Sequence, residues 1–231
     1  GYLNLQEVAM KALNSSGDCN VDVNCPAGAG WEMQRNSVGM LVNGGGFCSG
    51  SLINNTSGTI IPYFISANHC GTAMGGVVFR FRWEAPAGGT SCATTGNSTN
   101  GPENFNVNGG TLRAANGNAD FTLTELNSDP DPAWGIYYNG WDNSDALTVT
   151  SAVGIHHPDG DIKKISIEND PLTHQTTNFN GTNNASFWRI ADWDVGVTEP
   201  GSSGSPLFDQ NGRVIGVLSA GAAACNGTND N

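Results

Sequence analysis

The sequence is poor in charged residues, and basic residues are the scarcest of them. Charged residues make up 13% of the 231 positions, with nine Lys or Arg against 21 Asp or Glu, so the formal net charge is −12. Binding to nucleic acid requires Lys and Arg clustered against the phosphates, and the nine basic residues form no such patch. The composition therefore argues against a nucleic-acid partner, and we interpret the acidity as a contribution to solubility.

Long apolar runs and a leader sequence are also missing. No run approaches the roughly 20 residues that a membrane-spanning helix needs, so we expect no membrane partner. The chain begins at Gly1 rather than Met, and no signal peptide is visible. We therefore expect it to be a piece of a longer precursor from which a signal was removed or omitted.

Metal-binding patterns are lacking as well. The six cysteines include no CxxC pair and no Cys/His spacing typical of a zinc site. "HHPDGD" (156–161) offers His156, His157, Asp159 and Asp161, but adjacent strand residues point to opposite faces, which favours a turn between two strands. We predict neither a metal nor a cofactor. An even cysteine count instead suggests disulfides formed in an oxidising compartment, with the pairing open at this point.

The residues that are abundant indicate an all-β protein. The 32 glycines, together with many Asn, Ser and Thr, punctuate brief and often alternating apolar stretches, which is typical of a barrel or sandwich. "LQEVAMKAL" (5–13) has the spacing of a short amphipathic helix. The predicted strands fall within residues 38–43, 50–55, 62–70, 77–83, 120–126, 152–157, 163–167, 187–195, 205–208 and 214–220.

"TEPGSSGSPLF" (198–208) is either a Gly/Ser turn or the loop of a nucleophilic serine. A serine hydroxyl needs a neutral imidazole to take its proton and a carboxylate to orient that imidazole. His69 ends the apolar run "YFISANHC", and Asp120 immediately precedes "FTLTEL". Either residue alone is better interpreted as a structural His or a turn Asp. The chain order His, Asp, Ser, each at a strand edge, favours a catalytic triad of the chymotrypsin type.

Four motifs carry a resemblance to a known family. "CSGSLINN…YFISANHC", "ADFTLTEL", "GIHHPDGDIKKIS" and "VTEPGSSGSPLF" resemble the lysyl endopeptidase family, a secreted bacterial branch of the trypsin-like serine proteases, from about Cys19 to Cys225. The resemblance implies a chymotrypsin-like fold of two antiparallel, six-stranded-type β-barrels, at about 19–127 and 128–231. The second barrel would be truncated at its carboxyl terminus, where the family continues with a strand and a helix. Residues 1–18 would be the tail of a prosegment or an amino-terminal helix.

The resemblance also implies roles for individual residues. His69 would be the general base and then the general acid, Asp120 its orienting acid and Ser203 the nucleophile. The backbone N–H groups of Gly201 and Ser203 would form the oxyanion hole. The implied disulfides are Cys19–Cys225, Cys25–Cys92 and Cys48–Cys70. The implied substrate-binding residues are Thr198, Glu199, Ser219, Ala220 and Gly221, of which Glu199 could equally be an exposed loop carboxylate.

The pattern departs from trypsin at two places around the nucleophile. Ser202 stands where trypsin has an Asp that pairs with a new amino terminus, so we predict no such ammonium switch, and we interpret Ser202 and Ser205 as bystanders. Val197 stands where trypsin has the acid of its specificity pocket. In the family this acid comes from a loop after the last cysteine, and Asp230 lies too close to Cys225 to match.

These observations together predict a secreted, extracellular bacterial serine endopeptidase, a monomer, that acts on proteins or peptides through an acyl-enzyme. Cleavage after Lys or another basic residue is expected. One alternative is the same mechanism with a preference for Glu or another residue. An alternative of another class is a catalytically silent homologue that acts as a binding protein.

Overall fold

The regular structure is almost entirely β. The computed structural model describes residues 15–85, 92–93, 100–144, 147–179 and 182–225. The strands are β1 (Val21–Asp22), β2 (Val38–Val42), β3 (Gly46–Ile53), β4 (Tyr63–Ala67), β5 (Val78–Phe81), β6 (Asn106–Asn108), β7 (Gly110–Asn116), β8 (Phe121–Leu126), β9 (Ala152–His156), β10 (Lys164–Glu168), β11 (Thr173–Phe179), β12 (Thr182–Arg189), β13 (Pro206–Asp209) and β14 (Val214–Val217). One short α-helix, α1 (Glu32–Ser37), and 3₁₀ turns at Pro26–Gly28, Asn68–Cys70, Met74–Gly76, Pro132–Trp134 and Pro158–Gly160 complete the described part.

A seven-stranded antiparallel sheet forms the first unit, in the order β6-β5-β2-β3-β4-β8-β7. Alternate residues of the central strands point inward, and these residues are mostly apolar, so they form an apolar core. Phe64 meets Phe79 and Phe81 edge to face, with ring centroids 5.0 and 6.0 Å apart. All three side chains are buried, and each contributes roughly 1.5–3 kcal/mol to the free energy of folding.

The register of this sheet brings two distant segments together. β4 pairs antiparallel with β8 from Tyr63 opposite Glu125 to Ala67 opposite Phe121. The last residue of β4 therefore lies beside the first residue of β8. Residues just after β4 and just before β8 must lie close together at this edge of the sheet, which is where His69 and Asp120 are found.

A five-stranded antiparallel sheet forms the second unit, in the order β1-β10-β9-β13-β14. Ile155, Ile165 and Phe208 are completely buried in its core. The loop 197–205 leads directly into β13, which pairs with β9 on one side and β14 on the other. A separate hairpin, β11–β12, forms a two-stranded sheet.

The prediction of an all-β protein built from two antiparallel units is confirmed. The sheets contain seven and five strands rather than two sets of six. β1 belongs to the five-stranded sheet, although it lies within the segment 19–127 that we assigned to the first barrel. The boundary at residue 127 stays a prediction. The predicted helix 5–13 lies outside the described residues.

Three disulfides tie the fold together. They join Cys19 to Cys225, Cys25 to Cys92 and Cys48 to Cys70, which are the pairs that the resemblance implies.

Within the described residues, no helix is both long and apolar enough to cross a membrane.

Candidate active site

His69 and Asp120 form a close pair at the edge of the seven-stranded sheet. His69 lies in the 3₁₀ turn that follows β4, and its Nδ1 is 2.7 Å from Oδ2 of Asp120. The backbone N–H of His69 donates to Oδ1 of the same carboxylate at 2.9 Å. Both carboxylate oxygens thus bind the His69 residue, which fixes the position and the orientation of the imidazole.

Asp120 holds a backbone conformation that is unfavourable for a residue with a side chain. Its φ is +48°, in the left-handed region, and such a conformation costs roughly 1–3 kcal/mol. The backbone N–H of Asn68 donates to its carbonyl oxygen at 3.1 Å. The hydrogen bonds from Asn68 and His69 offset this strain. The left-handed backbone conformation directs the carboxylate towards the imidazole.

The carboxylate of Asp120 is ionised, and it accepts a third hydrogen bond in addition to the two from His69. Ser219 Oγ donates to Oδ2 at 2.6 Å. Burial alone would raise the pKa of Asp120, but hydrogen bonds from the His69 ring, the Ser219 hydroxyl and the His69 backbone hold this pKa below its ordinary value. An ionised acceptor requires Nδ1 of His69 to carry its proton in the neutral ring. The lone pair then lies on Nε2, and the His69 side chain is 41% exposed.

Ser203 lies in a loop that is held against the turn of His69. The N–H of Ser49 in β3 donates to the carbonyl oxygen of Ser203 at 2.8 Å. The same oxygen is 3.8 Å from Sγ of Cys70, the residue that follows His69. The disulfide from Cys70 to Cys48 ties this turn to β3 as well. β3 therefore acts as a common support for the His69 turn and the Ser203 loop.

Gly204 allows the loop to approach the first sheet closely. Its φ is +80°, and its N–H donates to the carbonyl oxygen of Leu218 at 2.8 Å. A Cβ at this position would collide with Oγ of Ser66 and would lie 2.5 Å from the carbonyl oxygen of Ser49. The loop can reach this position only with glycine after Ser203.

Gly201 and Ser203, the predicted oxyanion-hole residues, flank Ser202. Gly201 has φ +96°, and its carbonyl oxygen accepts from Ser49 Oγ at 2.9 Å. The carbonyl oxygen of Pro200 accepts from the N–H of Asp159 at 2.6 Å. The carbonyl groups of Pro200 and Gly201 thus both accept hydrogen bonds from other parts of the protein.

The predicted substrate-binding residues fall into two groups. Thr198 is buried, and the Glu199 carboxylate accepts from the N–H of Gly17 at 2.9 Å and from Nδ2 of Asn20 at 2.7 Å. Glu199 is thus bound to the segment around Cys19 and is not a free loop carboxylate. Ser219 bonds Asp120, as described above. Ala220 and Gly221 follow it on the surface.

One residue near the site has more partners than the sequence suggested. Ser202 is completely buried, and its Oγ lies 2.7 Å from Nδ1 of His156 and 3.2 Å from the N–H of Glu199. His156 belongs to the "HHPDGD" segment, whose 3₁₀ turn Pro158–Gly160 separates β9 from β10. The contact joins residues 46 positions apart. The departure from trypsin at Ser202 was the only signal for it in the sequence.

Comparison with known proteins identifies relatives that match most of the chain. A model of the "Lysyl endopeptidase, C-terminal domain" family matches residues 13–231. The lysyl endopeptidase of Pseudomonas aeruginosa strain PAO1 is 29% identical over 230 residues, covering 92% of this chain and 47% of that protein. The chain thus spans about half the length of this curated relative.

Solved structures share the fold at low sequence identity. The Rv3671c protease of Mycobacterium tuberculosis H37Rv, in its inactive form, is 17% identical with a TM-score of 0.52, covering 87% of this chain and 85% of that chain. The MamO protease domain of Magnetospirillum magneticum is 11% identical with a TM-score of 0.53, covering 87% of this chain and 92% of that chain. The fold is therefore the chymotrypsin-like one that the resemblance implied. Because the family model covers nearly the whole chain, the chain belongs to the family of lysyl endopeptidase C-terminal domains.

Proposed function

We propose that the chain is a secreted serine endopeptidase in which Ser203, His69 and Asp120 act as a catalytic triad. The observation that carries this proposal is the His69–Asp120 pair, with contacts of 2.7 and 2.9 Å, next to the loop that carries Ser203. The family and the fold are those of serine proteases. A silent binding protein has no need of an oriented imidazole beside a serine loop, so the pair favours the enzyme.

The first half of the reaction forms an acyl-enzyme. Nε2 of His69 takes the proton of the Ser203 hydroxyl while Oγ attacks the carbonyl carbon of the scissile peptide bond. The imidazolium that forms is stabilised by the Asp120 carboxylate, which keeps Nδ1–H in place. The same proton then passes from Nε2 to the leaving amine, and the C–N bond breaks.

The second half returns the enzyme to its starting state. Water gives a proton to Nε2 of His69 and attacks the ester carbonyl, and the Ser203–acyl bond breaks as the proton returns to Oγ. The backbone N–H groups of Gly201 and Ser203 would bind the oxyanion in both halves. Removal of one such donor typically costs about 10²–10³ in kcat.

The proposed substrates are proteins or peptides cleaved after Lys or another basic residue. The support is the membership of the lysyl endopeptidase family and the name of the Pseudomonas relative. The Glu199 carboxylate accepts hydrogen bonds from Gly17 and Asn20, which hold it against the segment around Cys19. The three disulfides agree with an extracellular protein, which we propose acts as a monomer.

A matched series of peptide amides tests the activity and the preference together. The peptides differ only in the residue before the scissile bond, which is Lys, Arg, Glu or Ala. We expect the Lys peptide to have the highest kcat/KM, and we expect Ser203→Ala to lose at least about 10³ of the wild-type kcat. A higher kcat/KM for the Glu peptide would overturn the basic preference but not the enzyme, whereas no hydrolysis of any peptide by folded protein would support the silent homologue.

A further inference from the structure

The residue before the proposed nucleophile is held by a buried chain of uncharged hydrogen-bonding groups. Ser202, His156 and Ser166 are all completely buried. Nδ1 of His156 lies 2.7 Å from Ser202 Oγ, and its Nε2 lies 3.0 Å from Ser166 Oγ. We call these three side chains the serine–histidine relay. Both ends of the relay contact the backbone of the segment 197–202 that leads into the nucleophile.

The position of each proton in the relay follows from its two ends. Ser166 Oγ lies 2.8 Å from the carbonyl oxygen of Val197, which can only accept, so the Ser166 hydroxyl proton points there. Ser166 Oγ must then accept from His156, which places the ring proton on Nε2. At the other end, Ser202 Oγ accepts the N–H of Glu199 at 3.2 Å and is free to donate to Nδ1.

His156 is neutral, as this arrangement requires. Complete burial, with a smaller contribution from the positive charge of Lys164, lowers the pKa of His156 to about 3. A neutral ring with its proton on Nε2 has a lone pair on Nδ1, which accepts the Ser202 hydroxyl proton. Each hydroxyl and each ring nitrogen of the relay therefore has a hydrogen-bond partner, and none of these partners is charged.

The relay connects the loop to two neighbouring strands. His156 is the last residue of β9, and Ser166 lies in β10, which pairs with β9 in antiparallel register. Ser166 binds the carbonyl oxygen of Val197 at one end of the relay, and at the other end His156 binds Ser202, whose hydroxyl accepts the N–H of Glu199. The N–H of Ser202 also donates to the carbonyl oxygen of Glu199 at 2.9 Å. These contacts leave the loop little freedom to rotate about its own backbone.

We propose that the serine–histidine relay positions the nucleophile loop, so that Ser202 and His156 are positioning residues for the Ser203 hydroxyl and for the Gly201 and Ser203 N–H groups. This inference rests on the proposed function, because the proposed function is what makes the loop catalytic. The peptide group that follows Ser202 carries the Ser203 N–H, and the one that precedes it is joined directly to Gly201. A backbone shift that moves Ser202 out of its buried site would therefore turn the Ser203 N–H and displace Gly201.

The kinetic test compares two buried serines of the same loop. Ser202→Ala removes the donor to His156 and the acceptor for Glu199, whereas Ser205→Ala truncates a buried serine that takes no part in the relay. Because a misplacement of about 1 Å can cost about 10²-fold, we expect Ser202→Ala to lower kcat roughly ten- to hundredfold. KM should change less than about threefold, and Ser205→Ala should stay within about threefold of wild type in both constants.

A double-mutant cycle tests whether the relay acts as one unit. Ser166→Ala removes its far end without touching Ser202, and we expect a loss of kcat in the same direction. The double variant Ser166→Ala/Ser202→Ala should lose less than the product of the two single losses. Multiplying losses, or a kcat of folded Ser202→Ala within about threefold of wild type, would overturn the proposal.

A readout that does not need catalysis separates this inference from the proposed function. In ¹⁵N spectra of histidine-labelled protein, His156 should be neutral with its proton on Nε2. Amide hydrogen exchange at Glu199 and Ser202 should be faster in Ser202→Ala than in wild type or Ser205→Ala. If wild type hydrolyses no peptide but shows this tautomer and exchange pattern, the proposed function fails and the relay stands. A proton on Nδ1, or unchanged exchange in Ser202→Ala, would overturn the relay.

Discussion

Replacing Asp120 with asparagine is expected to abolish most of the activity while leaving the geometry intact. The carboxylate accepts the His69 N–H through Oδ1 and both the His69 ring and the Ser219 hydroxyl through Oδ2. An amide has one oxygen and one NH₂ group. If its oxygen faced the ring, its NH₂ would face the backbone N–H of His69, and two donors would oppose each other.

The amide will therefore keep its oxygen on the backbone N–H and turn its NH₂ towards Nδ1 of His69. Nδ1 must then accept, and the ring proton moves to Nε2. An Nε2 that carries a proton cannot take one from Ser203. The same tautomer change in the Ser-His-Asp triad typically lowers kcat by about 10⁴, which at about 1.36 kcal/mol per decade is about 5 kcal/mol of transition-state stabilisation.

The assay is the steady-state hydrolysis of a Lys peptide amide by wild type and Asp120→Asn. Asp131→Asn is the matched control, since Asp131 caps the 3₁₀ turn Pro132–Trp134 by accepting the N–H of Ala133 away from the site. We expect the control to stay within about twofold of wild type. A folded Asp120→Asn variant that retains more than about a tenth of the wild-type kcat would refute the proposed role of the carboxylate.

Three further predictions concern stability and the approach of the loop. Because the folded-state pKa of Asp120 is lowered, this carboxylate stabilises the fold above its ordinary pKa of about 3.9. The contribution is lost as the pH falls through the folded-state pKa. The difference in unfolding free energy between wild type and Asp120→Asn, measured by urea unfolding, should therefore shrink below about pH 4. Replacing both Cys48 and Cys70 with serine should cost roughly 2–5 kcal/mol by urea unfolding, and an unchanged midpoint would contradict this. Gly204→Ala should lower kcat/KM by at least about 10², because the added Cβ displaces the loop. Gly75→Ala, whose Cβ would meet no atom within 4 Å, is its control and should behave as wild type.

The sequence predicted the location of His69 and Asp120 because both lie at the ends of apolar strands. β4 and β8 are readable from alternation, and the pairing of Ala67 with Phe121 then brings their ends together. The position of Ser203 followed from its glycine-rich loop and from the chain order.

Strands that face solvent could not be predicted in the same way. β7 is largely exposed along Gly110–Asn116, and β11 along Thr173–Phe179 is rich in polar residues. Neither sequence has an apolar alternation to read, and pairing with β8 and β12 supplies the hydrogen bonds of these two strands instead. β1, with two residues, is too short to give a pattern.

Contacts between distant polar residues were also beyond the sequence. Ser202 reaches His156 and Asp120 reaches Ser219 only because strands from different parts of the chain become neighbours. No sequence pattern around a serine or a histidine indicates which distant polar residue it will bind. The family pattern predicts that Ser219 binds substrate, which stays a prediction, and it gave no sign that the Ser219 hydroxyl donates to Asp120.

The most direct test of the central claim is the mass of the intact protein after treatment with diisopropyl fluorophosphate, which reacts with an activated serine. Wild type and Ser203→Ala are compared with Ser205→Ala, whose serine is buried in the same loop. The account predicts one adduct on wild type and on Ser205→Ala, and none on Ser203→Ala. An unmodified wild type that is demonstrably folded, or an adduct that persists in Ser203→Ala, would contradict it.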